Sequence, residues 1–207
     1  QRILREAGIL PNKYKQDIFV ELDREALVAL QSLQLEAEDI ERGLDYVDEK
    51  ISEHEENSDL DDEDLGFLIE ADKGDLSIGE LSKARKLLAT AKIPAAEEFV
   101  LRYEAAKEPL LVFSAYREPV EYFGRRRGWA KIDGSVKAKE RRDIVKAFQA
   151  GKLKGVAIVI AAGGTGLTLH RANTSLFIDL EWNPAKNVQA EDRIYRIGQK
   201  RDCTIYR

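Results

Sequence analysis

Apolar positions follow two different rhythms along the chain, and the rhythm changes near residue 104. In the first part they recur at helical spacing, which predicts helices over residues 24–50 (one long helix or two), 78–88 and 94–103. An opening helix is broken at residues 10–15, and the alternating run at residues 17–22 predicts a short strand. The first half is therefore mainly helical.

From residue 104 onward, short apolar runs alternate with amphipathic stretches. The runs predict strands at residues 110–114, 129–132, 156–160 and 175–179, with helices at 118–126, 138–149 and 184–196. Continuous apolar strands that alternate with helices indicate an α/β domain, an open and mostly parallel sheet with helices on both faces. Ligands of such sheets gather at the carboxyl ends of the strands. Candidate functional residues should therefore follow each strand directly.

Charge divides the chain in the same way. The 207 residues, 43% of them apolar, are enough for a real core, and the net charge is only −5. The first 100 residues contain 12 basic and 26 acidic side chains, whereas the remaining 107 contain 21 basic and 12 acidic ones. These counts give net charges of −14 and +9, so the second half could face a polyanion.

Several function classes are excluded by composition. Cys203 is the single cysteine and no Cys/His cluster has metal-ligand spacing, so we expect no metal site and a reducing intracellular compartment. The longest apolar runs are too short to cross a bilayer, and no signal-peptide pattern is present, so no membrane partner is expected. The lack of any methionine and the start inside a helical pattern suggest a piece of a longer protein.

An acidic stretch at residues 45–64 carries eleven acidic side chains against one lysine. Its spacing does not match the calcium-binding EF-hand loop, which needs a central glycine and a final glutamate. Strong self-repulsion and little apolar area favour a solvated insertion over a calcium site.

Two local patterns could bind phosphate. Residues 161–167, Ala-Ala-Gly-Gly-Thr-Gly-Leu, follow a predicted strand, and glycines there let backbone N–H groups approach a phosphate closely, although a simple tight turn has the same signature. In the predicted helix, Arg193 and Arg196 lie one turn apart on the same face, with Gln189 one turn earlier. The two guanidiniums could stabilise phosphate charge, as an arginine finger does, or could be surface arginines paired with Glu191 and Asp192.

Five segments in chain order closely resemble motifs IV, IVa, V, Va and VI of one family. They are Leu-Leu-Val-Phe-Ser at 110–114, Ile-Asp-Gly-Ser at 132–135 with Arg141 and Phe148 behind it, Ala-Gly-Gly-Thr-Gly-Leu at 162–167, Asp-Leu-Glu-Trp-Asn-Pro at 179–184, and Gln-Ala-Glu-Asp-Arg-Ile-Tyr-Arg-Ile-Gly-Gln at 189–199. The family is the second RecA-like lobe of SWI/SNF-type, helicase-like DNA translocases of helicase superfamily two. The Arg-Ile-Gly-Gln ending distinguishes it from RNA helicases of that superfamily.

The resemblance implies a domain organisation. Residues 1–16 would form the junction from a first lobe that this chain lacks, residues 17–108 a helical lead-in with the acidic insertion, and residues 109–207 the RecA-like core. Residues 84–94 resemble the run-up to the second lobe in the annealing-helicase branch of the family.

The resemblance also implies roles for individual residues. Arg193 and Arg196 would be catalytic and reach the γ-phosphate of ATP, with Arg196 as the finger, while Gln189 and Gly166 would complete the ATP-binding set. Trp182 would lie near the DNA groove, unless it packs inside the lobe as large aromatic residues often do. Residues implied to hold backbone phosphates of DNA are Ser114, Arg117, Gly134, Ser135, Arg141, Gly163, Gly164 and Thr165. Val159, Ile160 and Ala161 replace the hydroxyl or basic residues that many members carry there.

The implied cofactor is ATP with magnesium, bound mainly by the first lobe. This sequence contains neither the Gly-Lys-Thr loop nor the Asp-Glu pair of that lobe, so we expect no ATP hydrolysis by the chain alone. Implied partners are double-stranded DNA, the first lobe, and nucleosomes or other DNA-bound proteins. The location would be nuclear in a eukaryote and cytoplasmic in a bacterium or phage. The alternatives are a DNA-binding or protein-interaction module independent of ATP, and an RNA helicase lobe.

Overall fold

The computed structural model of the chain describes residues 10–31, 78–163 and 167–207. Their six strands form one parallel sheet, in the spatial order β1, β6, β5, β2, β4, β3. The strands are β1 (Lys13–Gln16), β2 (Leu110–Ser114), β3 (Trp129–Ile132), β4 (Gly155–Val159), β5 (Thr174–Phe177) and β6 (Cys203–Tyr206). The predicted α/β class, an open parallel sheet with helices on both faces, is confirmed.

Helices accompany the strands in chain order. They are α1 (Arg24–Gln31), α2 (Ile78–Ala91), α3 (Ile93–Ala105), α4 (Arg117–Gly124), α5 (Ala138–Gln149) and α6 (Pro184–Glu191), with a short 3-10 turn at Ala161–Gly163. Within these ranges no helix is long and apolar enough to cross a membrane. The acidic stretch at 45–64 and the rest of the predicted helix at 24–50 lie outside the described residues.

Two apolar layers sandwich the sheet, because successive side chains of a strand point to opposite faces. In β2, Leu110 and Val112 pack with α3 and α4, whereas Leu111 and Phe113 pack on the other face with Phe148 of α5. The packing leaves no room for a side chain at Gly155, because a Cβ there would overlap the Trp129 ring. The central strand β2 is entirely buried and anchors the fold.

The predicted strand at residues 17–22 is wrong, and the strand lies at Lys13–Gln16 instead. This segment pairs in parallel with β6, itself a strand that the apolar pattern did not predict. Pairing continues only as far as the bond from the Ile18 N–H to the Arg207 carbonyl, 2.7 Å. Phe19 is 96% exposed, so the alternating pattern there faces no core in this chain.

Candidate nucleotide and nucleic-acid site

Parallel strands bring the predicted site residues to one edge of the sheet. The loops after β2, β3 and β4 contain the residues implied to hold DNA phosphates, and we call them the phosphate loops (residues 114–117, 133–136 and 161–163). The segment after α6, residues 192–199, contains Arg193 and Arg196, and we call it the arginine turn. Gly164, Thr165 and Gly166 lie outside the described residues.

Ser114 ends β2 with its side chain fully buried. Its Oγ donates to Asp179 Oδ2 at 2.7 Å and accepts from the Tyr116 N–H at 3.0 Å, while Asp179 Oδ1 accepts from the Ala115 N–H at 2.6 Å. Burial raises the pKa of Asp179 and outweighs the hydrogen bonds that favour its charged form. Ser114 thus shapes the loop internally, and its contact with a DNA phosphate stays a prediction.

The loop after β3 is built around the buried Asp133. Lys131 Nζ lies 2.8 Å from Asp133 Oδ2, Arg117 Nε lies 3.7 Å from the same oxygen, and the Ser135 N–H donates to Asp133 Oδ1 at 2.8 Å. The Lys131 ammonium, followed by Ser135, holds the pKa of Asp133 well below its ordinary value. Gly134 and Ser135 are exposed, and no atom lies within 4 Å of a Cβ built on Gly134. A ligand can therefore approach this backbone closely.

Arg141 joins two of the phosphate loops from within. Its guanidinium donates to the carbonyls of Ala162 at 2.8 Å, and of Asp133 and Val136 at 3.3 Å each. The side chain implied to bind phosphate therefore braces the loop after β3 against the turn after β4. Its direct contact with DNA stays a prediction.

Trp182 lies beyond the end of β5 and is partly exposed. The Arg85 guanidinium of α2 sits 4.0 Å from the centre of its ring, a cation–π contact, and Arg85 Nη2 also donates to the Leu180 carbonyl. Trp182 is thus attached to the helical lead-in, and its position near a DNA groove stays a prediction.

The arginine turn departs from the predicted helix over 184–196, because α6 ends at Glu191. The prediction that Arg193 and Arg196 share one helical face is therefore wrong. Arg193 is nearly buried, at 9% exposure, whereas Arg196 is exposed. Burial, together with the nearby positive charge of Arg196, lowers the pKa of Arg193. Gln189 lies on α6 with its side chain exposed.

Core packing causes this departure. Ile194 and Tyr195 are buried between the two arginines, and the Arg193 carbonyl accepts from the Leu169 N–H at 3.0 Å. Gly198 then takes a φ of +104°, which only glycine adopts without strain. A continued helix would carry the two apolar side chains out of the core.

Gln199 closes the turn, and the sequence reasoning did not single it out as a site residue. Its buried amide nitrogen donates to the carbonyls of His170, Ala172 and Ile194, at 3.0, 2.8 and 3.3 Å. Its amide oxygen accepts from the N–H groups of Lys200 and Arg201, each at 3.0 Å. The final glutamine of the motif therefore holds the arginine turn in shape.

Glu191, also missed as a site residue, has a side chain only 1% exposed. It contacts Lys13 Nζ at 2.5 Å, Arg207 Nη2 at 2.7 Å and Lys15 Nζ at 3.1 Å. Burial alone would raise its pKa, but hydrogen bonds from Lys13 and Arg207 and the charges of both lysines outweigh it, so the pKa of Glu191 is lowered. The only hint of this role in the sequence was the acidic residue that follows Gln189 and Ala190.

Within the described ranges no group of His, Cys, Asp or Glu side chains is placed to hold a metal ion. The site is instead made of backbone N–H groups, hydroxyls and guanidiniums at one edge of the sheet. Such groups bind anions, phosphate above all.

Comparison with known families identifies the class of protein. The family model "Helicase conserved C-terminal domain" matches residues 91–198, so the chain belongs to that family. It is a C-terminal RecA-like lobe of the SWI/SNF type, as its motifs indicated. The assignment to the annealing-helicase branch stays a prediction.

Three relatives illustrate the match. The chain is 44% identical to the TATA-binding protein-associated factor mot1 of Aspergillus fumigatus over 78 residues, 37% of this chain and 4% of that protein. It is 40% identical to the nuclear protein STH1/NPS1 of Saccharomyces cerevisiae over 81 residues, 38% and 6%. It is 36% identical to the chromatin-remodeling ATPase INO80 of Schizosaccharomyces pombe over 130 residues, 62% and 8%. The matched part is less than a tenth of each relative.

Two solved structures share the fold. The C-terminal part of the Fun30 ATPase domain superposes with a TM-score of 0.61 at 17% identity, covering 95% of this chain and 84% of that one. The Sulfolobus solfataricus SWI2/SNF2 ATPase core in complex with dsDNA gives a TM-score of 0.61 at 18% identity, with 95% and 40% covered.

Proposed function

We propose that this chain is the C-terminal lobe of an ATP-dependent double-stranded DNA translocase. The observation that carries the proposal is the arginine turn, which exposes Arg196 beside the nearly buried Arg193 in a lobe of the SWI/SNF type. Two adjacent guanidiniums repel each other and gain from a polyanion between them. The γ-phosphate of ATP held on the first lobe is such an anion.

In the proposed reaction Arg196 contacts the γ-phosphate and stabilises the charge that spreads over its oxygens during hydrolysis. Arg193, which is less mobile because it is packed, orients Arg196 and adds positive potential, and Gln189 contacts the facing lobe. ATP and magnesium are bound mainly by the first lobe, so the 207-residue chain alone does not hydrolyse ATP. Closing and opening of the two lobes then moves the protein along DNA.

Double-stranded DNA is the proposed track. The phosphate loops offer the exposed backbone of Gly134 and Ser135 and the guanidinium of Arg117, on a half of the chain with a net charge of +9. Contacts of this kind hold the backbone without reading sequence, as a translocase requires. A solved SWI2/SNF2 ATPase core that shares this fold is in complex with dsDNA. Nucleosomes or other DNA-bound proteins, and a nuclear location in a eukaryotic host, complete the proposal.

The decisive experiment is Arg196→Ala in the full-length protein that contains both lobes, with ATP turnover measured in saturating duplex DNA. We expect a loss of about a thousandfold, the scale of an arginine finger, with DNA affinity nearly unchanged. Arg102→Ala is the matched control, because Arg102 is an exposed arginine on α3 outside the site. Turnover of Arg196→Ala at the control level would exclude the finger role.

The same assay separates the alternative functions. Wild-type turnover is compared with duplex DNA, single-stranded DNA and RNA as the stimulating polymer. Stimulation chiefly by duplex DNA supports the translocase. Preference for RNA would indicate an RNA helicase lobe, and no stimulation by any polymer would indicate a module that works without ATP.

A further inference from the structure

Glu191 is the most completely buried carboxylate with several cationic partners in the described part of the chain, and it lies next to the arginine turn. Lys13, Lys15 and Arg207 all contact its two oxygens, at 2.5, 3.1 and 2.7 Å. An isolated buried carboxylate is costly, and one surface partner would not offset that cost. Three cations around one acid therefore form a fixed arrangement, which we call the Glu191 clamp.

The clamp joins two parts of the chain that lie far apart in sequence. Lys13 and Lys15 belong to β1, the strand that leads in from the predicted junction with the first lobe, and Glu191 is the last residue of α6. Around the clamp, Tyr195 Oη donates to the Pro11 carbonyl at 3.0 Å, and the Cys203 N–H donates to the Asn12 carbonyl at 2.8 Å. The segment that contains β1 is thus fastened to the end of α6 by charge, to the arginine turn by the Tyr195 hydroxyl, and to β6 by a backbone bond.

Glu191 also shapes the turn directly. Its carbonyl accepts from the N–H groups of Ile194 and Tyr195, at 3.2 and 3.3 Å, so the residue that holds β1 is also the one from which the turn starts. Lys13 Nζ lies 5.4 Å from the centre of the Tyr195 ring as well. Any shift of β1 must therefore move either the Glu191 carboxylate or the core residues between the two arginines.

We propose, on the basis of the function proposed above, that Glu191 is a positioning residue for ATP hydrolysis. With Lys13 and Lys15 it keeps the arginine turn in register with the strand entering from the first lobe. Arg196 then meets the γ-phosphate only when the two lobes have the correct relative position. The Glu191 clamp thus acts through the junction between the two lobes. Glu191 itself does not contact the nucleotide.

Glu191→Gln in the full-length protein tests the proposal, because glutamine has the same shape and keeps one acceptor oxygen while losing the charge. We expect kcat of duplex-stimulated hydrolysis to fall about tenfold to a hundredfold, the range produced by misplacing a catalytic group by about 1 Å. The KM for ATP and the affinity for DNA should stay within about twofold. Glu108→Gln is the control, since Glu108 pairs with Arg201 at 2.9 Å on an exposed surface.

A purely structural role is separated by measuring turnover per folded molecule, with folding monitored by circular dichroism. Loss of folded protein with unchanged kcat would overturn the positioning role, and so would wild-type kcat in well-folded Glu191→Gln. Arg196→Ala is measured in parallel to tell the two proposals apart. If Glu191→Gln keeps its activity while Arg196→Ala loses it, only the positioning role of Glu191 is overturned. If Arg196→Ala also keeps its activity, the proposed function fails.

A second variant keeps the test valid if Glu191→Gln does not fold. Lys15 is 46% exposed, so Lys15→Gln removes one arm of the clamp without opening the core. We expect kcat to fall about threefold with an unchanged KM for ATP, a smaller loss because Lys13 and Arg207 remain in place. An unchanged kcat in Lys15→Gln would overturn the proposal.

Discussion

Two acids beside the proposed site, the partly buried Asp179 and the buried Glu191, are stabilised in opposite ways. Asp179, after β5, accepts from the neutral Ser114 hydroxyl and the Ala115 N–H, and its pKa is raised by burial. Glu191, at the end of α6, is surrounded by three cations, which outweigh burial and lower its pKa. The partners of an acid, and not its burial alone, therefore decide whether it stabilises the fold in its charged form.

The difference follows from what each acid holds together. Asp179 joins the segment after β5 to the loop after β2 by accepting from a hydroxyl and a backbone N–H, and a neutral side chain could also accept there. Glu191 contacts the cationic side chains of Lys13, Lys15 and Arg207 at 2.5 to 3.1 Å, and a neutral side chain there would leave their charges uncompensated. The Glu191 clamp is therefore a network of charges, whereas the Asp179 contacts are hydrogen bonds from a hydroxyl and a backbone N–H.

The largest expected effect is on Glu191→Gln in the 207-residue chain. Removing the negative charge leaves Lys13 beside a neutral amide in a nearly buried position, and breaking a buried pair costs about 3 kcal/mol. Glu108→Gln, which breaks an exposed pair, should cost less than about 1 kcal/mol. Urea denaturation of both variants measures the free energy of unfolding. Equal losses in the two variants would contradict the buried charge network.

The pH dependence of the free energy of unfolding should also separate the two acids. Because the pKa of Glu191 is lowered, its stabilisation is present above its ordinary value of 4.5 and is lost as the pH falls through the folded-state pKa. The gap between wild type and Glu191→Gln in urea midpoints should thus close below pH 4.5. A gap that stays constant from pH 7 to acid would show that the charge of Glu191 is not what stabilises the fold.

For Asp179→Asn we expect a small effect of the opposite sign. Since the pKa of Asp179 is raised above 3.8, the stability from its protonated form is present below that pH and is lost as the pH rises through the folded-state pKa. At pH 7 the neutral asparagine should equal or exceed wild type by up to about 1 kcal/mol in free energy of unfolding. A loss above about 1 kcal/mol would mean that Lys92 and Arg85, whose charges favour ionised Asp179, dominate there.

Local pattern was enough to predict the centre of the fold. The bounds of β2, β3 and α5 agree with the sequence prediction, because each strand is a mainly apolar run and α5 has a helical pattern of apolar positions. Two neighbouring strands were not located: Lys13–Gln16, at one edge of the sheet, and Cys203–Tyr206, which lies between it and β5, mix polar and apolar residues and owe their structure to strand pairing. A strand that forms because it pairs with a segment far away in the sequence need not show an alternating apolar pattern of its own.

The candidate site shows the same limit. Helical spacing extended α6 across Arg193 and Arg196, because periodicity does not reveal that Ile194 and Tyr195 must enter the core. The role of Glu191 could not be read from neighbouring residues, since its lysine partners lie at the other end of the chain. Only the parallel pairing of β1 with β6 brings these charges together.

The smallest expected effect that separates Glu191 from Asp179 is on the alkylation rate of Cys203. Its thiol is buried, with a pKa raised by burial to about 11, and its Sγ lies 3.8 Å from the Ile194 carbonyl beneath the arginine turn. Alkylation needs the thiolate and access, so labelling of the wild-type chain at pH 8 should be slow. Glu191→Gln should speed labelling about threefold by loosening the turn, whereas Asp179→Asn should leave the rate unchanged. Equal rates in all three proteins, measured by mass spectrometry under native conditions, would show that the clamp does not hold the turn closed over Cys203.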